Sequence, residues 1–137
     1  MSDYLDLYDY RCRVAAMYRE RKEALLAGED AEIVWQRFRE TRNNLFAHHP
    51  QSALDEEQRQ NFQGLHYFPY NPAACYEADI DPSVEKTQLT VQMNADELMK
   101  MATVCRLHFV VDGKPVSLSL YWLEIYGGGL FLPFRDT

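Results

Sequence analysis

"VCRLHFVVDGKPVSLSLYW" (Val104–Trp122) contains two runs of alternating apolar and polar residues on either side of Asp112-Gly113. Both turn residues tolerate positive φ, so the pair predicts a β-hairpin with a two-residue turn. Such a hairpin is the basic unit of an antiparallel sheet, because its strands run in opposite directions. These residues therefore predict that this part of the chain is antiparallel β.

The turn also predicts the register of the hairpin, beginning with Val111 opposite Lys114. One face is then predicted to be apolar, with the pairs Phe109–Val116, Leu107–Leu118, Cys105–Leu120 and Thr103–Trp122. The other face is mixed, with the pairs His108–Ser117, Arg106–Ser119 and Val104–Tyr121. A slip of one residue would move every side chain to the opposite face, so this register is a sharp prediction.

The first part of the chain has the spacing of helices. No proline or glycine interrupts Ser2–Ala27, and Gly28 and Asp30 then suit the C-terminal cap of one helix and the N-terminal cap of the next. The second helix is predicted to end at His49, because the proline that follows disfavours helical backbone there. A third, short helix is predicted over Asp55–Phe62.

The first helix is predicted to bury a broad apolar stripe. Two adjacent rows at three- and four-residue spacing form it, namely Tyr4, Leu7, Val14, Tyr18 and Leu25, and Leu5, Tyr8, Cys12, Ala15 and Leu26.

The fold class predicted from these patterns is α+β, in one domain over 1–137. Residues 1–63 are mainly helical and residues 64–137 mainly antiparallel β, where "TQLTVQM" (Thr87–Met93) adds a strand and Asn94–Glu97 a turn. The helical hairpin and the short helix are expected to pack on one face of a sheet of about four or five strands. That sheet is either open or curled into a partial β-barrel.

The chain closes with "GGGLFLPFRDT" (Gly127–Thr137). A phosphate loop would need glycines that lead into a helix N-terminus, whereas these lead into an alternating run that contains a proline. The glycines therefore predict a turn or bulge. Pro133 indicates that the strand after them lies at an edge or that its proline nitrogen faces away from a neighbouring strand, and we predict Leu130–Phe134 as an edge strand. Because an edge strand can pair with another chain, self-association through Leu130–Phe134 is a further expectation.

The composition limits the partners and the compartment. The formal net charge is −7 with no basic patch, so we expect no nucleic acid as a principal partner. No run reaches the ~18 apolar residues that a membrane span needs, so no membrane association is predicted. Cys12, Cys75 and Cys105 lie far apart without a CxxC pair, which predicts reduced thiols and a cytoplasmic location.

Metal and cofactor motifs are missing from the sequence. The four histidines, His48, His49, His66 and His108, have no HxH or HExxH spacing. Neither GxGxxG nor GxxxxGK[ST] occurs. We therefore predict no metal site and no cofactor.

Four stretches occur together in an order that resembles a known family. They are "LFAHHPQSAL" (Leu45–Leu54), "FQGLHYFPYNPA" (Phe62–Ala73), "VDGKPVSLSLYWLE" (Val111–Glu124) and "GGGLFLPFRDT" (Gly127–Thr137). The family is the domain of unknown function 1684, from bacteria and archaea, and the resemblance runs from about Trp35 to the last residue. Ala53 stands where similar proteins usually have proline.

The resemblance implies no activity, substrate or cofactor. It does imply length, because similar proteins continue into another glycine- and tyrosine-rich segment and a cysteine-containing tail. The expectation is therefore that the domain lacks a C-terminal part.

Two groups of residues are candidates for binding a ligand. "HYFPY" contains His66, Tyr67 and Tyr70, which form either a clasp between the helices and the sheet or the rim of a pocket. The mixed face of the hairpin contributes Arg106, His108 and Tyr121.

Glu124 is the candidate for a catalytic carboxylate. Counted along its strand, it lies on the side of the apolar residues, where a carboxylate needs a cationic or hydrogen-bonding partner. Arg135, across the glycine turn, is the expected partner, and Asp136 is a second carboxylate nearby in sequence. An alternative is that the strand ends before Glu124.

The function predicted first is a small-ligand-binding or interaction domain without catalytic activity, acting on an unknown small molecule or protein. The alternative is an enzyme, with hydrolase as the class, which uses Glu124, Arg135 and Asp136.

Overall fold

The computed structural model describes residues 3–135, which contain three α-helices, one short 3-10 helix and five β-strands. The chain divides into two compact units, Met1–Tyr70 and Asn71–Thr137. The first is helical and the second is an antiparallel sheet, so the fold is α+β as predicted. The first unit includes the residues that follow α3 as far as Tyr70. The single domain and the packing of helices on the sheet stay predictions.

A helical hairpin forms most of the first unit, with α1 at Asp3–Leu26 and α2 at Ala31–His48. Gly28 has a φ of +79°, the left-handed conformation that ends many helices. Asp30 caps α2, because its Oδ1 accepts hydrogen bonds from two backbone N–H groups of the first turn, at 3.0 and 3.1 Å. Such a cap contributes about 1 kcal/mol. The predicted link and the predicted end of α2, with His49 as its cap, are both confirmed.

The third helix, α3, spans Glu56–Gln60 and is shorter than predicted. Asp55 and Gln58 form a capping box in which each side chain accepts a hydrogen bond from the backbone N–H of the other, at 2.8 and 3.0 Å. Beyond the helix, the ring of Phe62 stacks on that of Phe46, with centroids 6.3 Å apart. This contact joins the end of α3 to α2.

The buried face of α1 differs from the predicted apolar stripe. The buried residues are Asp6, Met17 and Ala24, whereas Tyr4 is 84% exposed. The three buried positions lie on one side of the helix, and the small Ala24 is among them. The buried apolar residues of α2 are Val34 and Leu45. The predicted stripe was therefore wrong, and its exposed members include leucines, such as Leu5 and Leu26, as well as tyrosines.

The second unit opens with a 3-10 helix at Pro72–Ala74, followed by an antiparallel five-stranded sheet. Its strands are β1 (Asp79–Asp81), β2 (Gln88–Asn94), β3 (Glu97–Val111), β4 (Lys114–Leu123) and β5 (Leu130–Phe131). The order is β1-β3-β4-β5, and β2 also pairs with β3. Because β1 pairs with the second half of β3 and β2 with its first half, they follow one another along the same strand. The described strands form an open sheet rather than a partial barrel.

The hairpin of β3 and β4 confirms the predicted turn. Asp112 has a φ of +49° and Gly113 a φ of +76°. From Val111–Lys114 onward, every predicted pair is found as far as Cys105–Leu120.

Beyond Cys105 the predicted register is wrong, because the ladder shifts between Thr103 and Cys105. Val104 is the extra residue of this β-bulge. Thr103 therefore pairs with Tyr121 rather than with Trp122. A bulge changes which side chains share a face. Here it brings Thr103 to the face that carries Arg106 and His108.

The glycines between β4 and β5 form a turn, as predicted. Gly127 and Gly128 have φ values of +85° and +61°, and Gly128 N donates to Ile125 O at 2.9 Å. The strand that follows is much shorter than the predicted Leu130–Phe134. Only Leu130 and Phe131 pair with β4, and the strand ends before Pro133, which has no N–H to donate. β5 lies at one end of the strand order, so its edge position is confirmed.

Within residues 3–135, no helix combines the length and the apolar character that crossing a membrane requires.

Candidate functional site

An open cavity of about 430 Å³ lies on the mixed face of the hairpin, and we call it the polar cavity. It brings together three residues predicted to bind a ligand, Arg106, His108 and Tyr121. The other lining residues are Asp81, Ser83, Val84, Glu85, Thr87, Thr103 and Ser119. All but one of the lining side chains are polar or charged.

The hairpin positions half of these side chains. Arg106 lies opposite Ser119, as the turn predicts. Two residues away, His108 points to the same face, because side chains alternate along a strand. Tyr121 reaches this face from β4, where it pairs with Thr103. The bulge at Val104 thus adds a threonine hydroxyl to the site, although the regular alternation had predicted Thr103 on the apolar face.

β1 supplies one of the two carboxylates of the polar cavity, Asp81. Asp81 pairs with Arg106 in the ladder, and its Oδ2 lies 3.9 Å from His108 Nε2. Its Oδ1 accepts hydrogen bonds from the hydroxyl and the backbone N–H of Ser83, at 2.5 and 2.9 Å. These bonds hold the pKa of the Asp81 carboxyl below its ordinary value, and the charges of His108 and Arg106 act in the same direction. Asp81 is therefore an ionised acceptor.

Two threonines that hydrogen-bond to each other also line the polar cavity. The hydroxyl oxygens of Thr87 and Thr103 lie 2.9 Å apart, and Thr103 N donates to Thr87 O at 3.0 Å. This backbone bond fixes the chain just before β2. Asp81, Ser83 and Thr87 were all missed in the sequence. Asp81 belongs to a three-residue strand without a clear periodicity, and Ser83 and Thr87 lie in the irregular segment between β1 and β2.

The arrangement suits the binding of a polar molecule. A guanidinium, an imidazole and several hydroxyls can donate hydrogen bonds, while Asp81 and Glu85 can accept them. The 3.9 Å between Asp81 Oδ2 and His108 Nε2 exceeds hydrogen-bonding distance, so these two atoms are not bonded to each other and each can bond a ligand. The volume lies within the ~300–1,000 Å³ of typical ligand pockets.

The aromatic candidates lie in the helical unit. Tyr67 and Tyr70 pack on Trp35, with ring centroids 6.5 and 5.5 Å apart, and His66 is exposed. Arg42 Nη1 donates to the Tyr67 hydroxyl at 3.2 Å. The segment therefore packs against α2, and none of its three predicted residues lines the polar cavity.

The expected contact between Glu124 and Arg135 is not among the ion pairs of residues 3–135. β4 ends at Leu123, so Glu124 is exposed, and its Oε1 accepts a hydrogen bond from Gln88 Nε2 at 3.1 Å. The expectation was wrong because the alternation that placed Glu124 among apolar residues stops with the strand. Arg135 is exposed, and Asp136 lies outside the described residues. Catalytic roles for these three residues stay predictions.

A second cavity, of about 400 Å³, lies between α1 and α2, and we call it the helix groove. Its most buried polar side chain is His49, whose Nε2 lies 3.1 Å from Asp9 Oδ2. His49 Nδ1 accepts a hydrogen bond from Gln51 N at 3.1 Å. With both ring nitrogens engaged, His49 has no free nitrogen to act as a base. The sequence singled out His49 only as the end of a helix.

Metal-binding side chains are not clustered in this structure. In the part of the chain from residue 3 to residue 135, no group of three or more His, Cys, Asp or Glu side chains could hold a metal ion.

The comparisons with known proteins concern mainly the sheet unit. The family model described as "Protein of unknown function (DUF1684)" matches residues 60–137, which is more than half of the chain and includes every residue of the polar cavity. The earlier stretch Leu45–Leu54 lies before the matched residues. No curated protein matches the chain. The chain belongs to the DUF1684 family of proteins of unknown function.

Proposed function

We propose that this chain is a small-ligand-binding domain without catalytic activity, and that its ligand is a polar molecule held in the polar cavity. The observation that carries this proposal is that Arg106, His108 and Tyr121 line one cavity of about 430 Å³. They reach it from two strands whose register is fixed by the turn and by the bulge at Val104.

The charged side chains of the polar cavity indicate that its ligand carries both hydrogen-bond acceptors and hydrogen-bond donors. Among residues 71–135, Arg106 forms no ion pair, because no carboxylate oxygen lies within 4.0 Å of its guanidinium nitrogens. The guanidinium can therefore bind an acidic group of a ligand. Asp81, whose Oδ1 is already bonded to Ser83, presents Oδ2 toward His108. A hydroxy acid or an amino acid has this combination of a carboxylate and a donor group.

The proposal is tested by a thermal-shift screen of small hydroxy acids, amino acids and sugars. A ligand of the polar cavity should raise the melting temperature of the wild-type protein, because binding to the folded state stabilises it. Arg106→Gln and Tyr121→Phe should each reduce that shift. A hydrogen bond to a charged group contributes about 1.5–3 kcal/mol. Arg106→Gln removes the charge from this contact and should therefore weaken ligand binding about tenfold or more.

Lys114→Gln is the matched control, since Lys114 is exposed on the same hairpin and does not line the polar cavity. It should leave the shift unchanged. The proposal fails if no compound of these classes stabilises the protein, or if the stabilisation survives both cavity substitutions.

We also propose that the sheet unit self-associates through β5. Support comes from the position of β5 at the end of the strand order and from the apolar side chains there, of which Phe134 is 75% exposed. An open edge with exposed apolar residues favours pairing with a second copy.

A cytoplasmic location and the absence of a nucleic acid partner are further parts of this proposal. The net charge of −7 and the three free cysteines, of which Cys12 and Cys75 are exposed, support them. Subcellular fractionation of the tagged protein tests the location, and recovery with the membrane or secreted fraction would contradict it.

A further inference from the structure

Arg39 and Arg42 lie side by side on α2 and contact the same aromatic ring. The Cζ atom of Arg39 lies 4.5 Å from the ring centroid of Trp35 and 4.6 Å from that of Tyr67. The Cζ atom of Arg42 lies 6.0 Å from the Tyr67 centroid, and its Nη1 donates to the Tyr67 hydroxyl at 3.2 Å. The positive charges of both arginines therefore lie beside the Tyr67 ring, and the uncharged rings cannot neutralise them.

Neither of these arginines has a carboxylate partner within the described part of the helical unit, residues 3–70. Two other arginines of the unit do have one, since Arg13 bonds Asp9 at 2.7 Å and Arg37 bonds Glu29 at 2.8 Å. Two adjacent like charges without a carboxylate partner are unfavourable.

We propose that Arg39 and Arg42 form a binding site for a phosphate group, either inorganic phosphate or a phosphate ester. A phosphate offers several acceptor oxygens and nearly two negative charges, which match two guanidinium forks. Trp35 and Tyr67 hold Arg39 in place before the ligand arrives, so that little side-chain freedom is lost on binding. This site is separate from the polar cavity and does not depend on the function proposed for it.

Arginine side-chain NMR of the full chain tests the site directly. Inorganic phosphate is titrated at constant ionic strength, with chloride as the reference salt, while the Nε–H signals of Arg39, Arg42 and Arg21 are followed. Arg21 is the internal control, because its Cζ atom also stacks on two rings, 4.9 Å from the Tyr18 centroid and 4.5 Å from that of Phe38. Phosphate should shift the signals of Arg39 and Arg42 with saturation and leave Arg21 unchanged.

A parallel titration with glycerol phosphate distinguishes the two sources. Tighter binding than that of inorganic phosphate identifies an ester as the ligand, and weaker binding identifies the free ion. No response of Arg39 and Arg42 to either compound overturns the proposal, as does an equal response of Arg21.

Substitutions provide the second test. Arg42→Gln should weaken phosphate binding about tenfold or more, because it removes a charged donor. Arg39→Lys keeps the charge and should weaken binding too, because lysine lacks the fork. Arg21→Gln should bind as the wild type does. Unchanged binding by both Arg42→Gln and Arg39→Lys would overturn the proposal.

Discussion

His49 Nε2 lies 3.1 Å from Asp9 Oδ2, so the residue that follows α2 is hydrogen-bonded to α1. The His49 side chain is buried, and its ring meets that of Tyr10 edge-on with centroids 5.1 Å apart. Because Nδ1 accepts a hydrogen bond from Gln51 N, the donor to Asp9 must be the proton on Nε2. One imidazole therefore joins α1, the end of α2 and the chain that follows.

His49→Ala should lower the free energy of unfolding by about 1–3 kcal/mol, because it removes two hydrogen bonds and buried packing. Chemical unfolding followed by far-UV circular dichroism measures the change. The neighbouring His48 is exposed, so His48→Ala should change the stability by less than about 0.5 kcal/mol. Equal losses for the two variants would show that His49 does not join the helices.

Acidic pH should weaken the same contact. The hydrogen bond from His49, supported by Arg13, holds the pKa of the Asp9 carboxyl below its ordinary value. A carboxyl whose pKa is lower in the folded state stabilises the fold above its unfolded pKa of about 3.9, and this contribution is lost as pH falls through the folded value. The stability difference between wild type and Asp9→Asn should therefore shrink below about pH 4. A difference that stays constant from neutral to strongly acidic pH would contradict this prediction.

The glycine turn allows a comparison of two neighbouring positions. Gly127 and Gly128 both have positive φ, so alanine at either should cost about 1–2 kcal/mol. A Cβ atom on Gly128 would also overlap the indole of Trp122, whereas one on Gly127 meets nothing within 4 Å. Gly128→Ala should therefore destabilise the protein more than Gly127→Ala and change the tryptophan fluorescence. Equal stabilities with unchanged emission would mean that the turn does not pack on Trp122.

Self-association is expected to depend on the apolar residues beside β5. Sedimentation velocity should show dimers or larger species of the wild type, and Phe134→Asp should shift the population to monomer. Phe68→Asp is the matched control, because Phe68 is 93% exposed but lies in the helical unit. A wild-type protein that stays monomeric at high concentration, or an equal effect of the two substitutions, would count against pairing through β5.

The hairpin shows what could be predicted from the sequence and where prediction stopped. Asp112-Gly113 and the alternation beside it gave the turn and the pairs down to Cys105–Leu120, because turn geometry and side-chain period are local properties. The bulge at Val104 could not be predicted, because an inserted residue changes the pairing without a distinctive residue type. That bulge also determines that Thr103 belongs to the polar cavity.

The polar cavity was also predicted only in part, because only some of its residues belong to a local sequence pattern. Arg106, His108 and Tyr121 were found because they lie on one face of a strong local pattern. Asp81 was missed, because β1 has only three residues and its place depends on pairing with β3, far along the chain. Long-range pairing of this kind leaves little trace in the periodicity of a short strand.

Binding of a polar small molecule in the polar cavity should be visible at the side chains that line it. The strongest compound of the thermal-shift screen is titrated into the labelled protein, while the His108 imidazole, the Arg106 Nε–H and the Tyr121 ring are followed by NMR. We expect all three side chains to respond with one dissociation constant and the His48 imidazole not to respond. Shifts confined to the helix groove, or none at these three side chains, would contradict it.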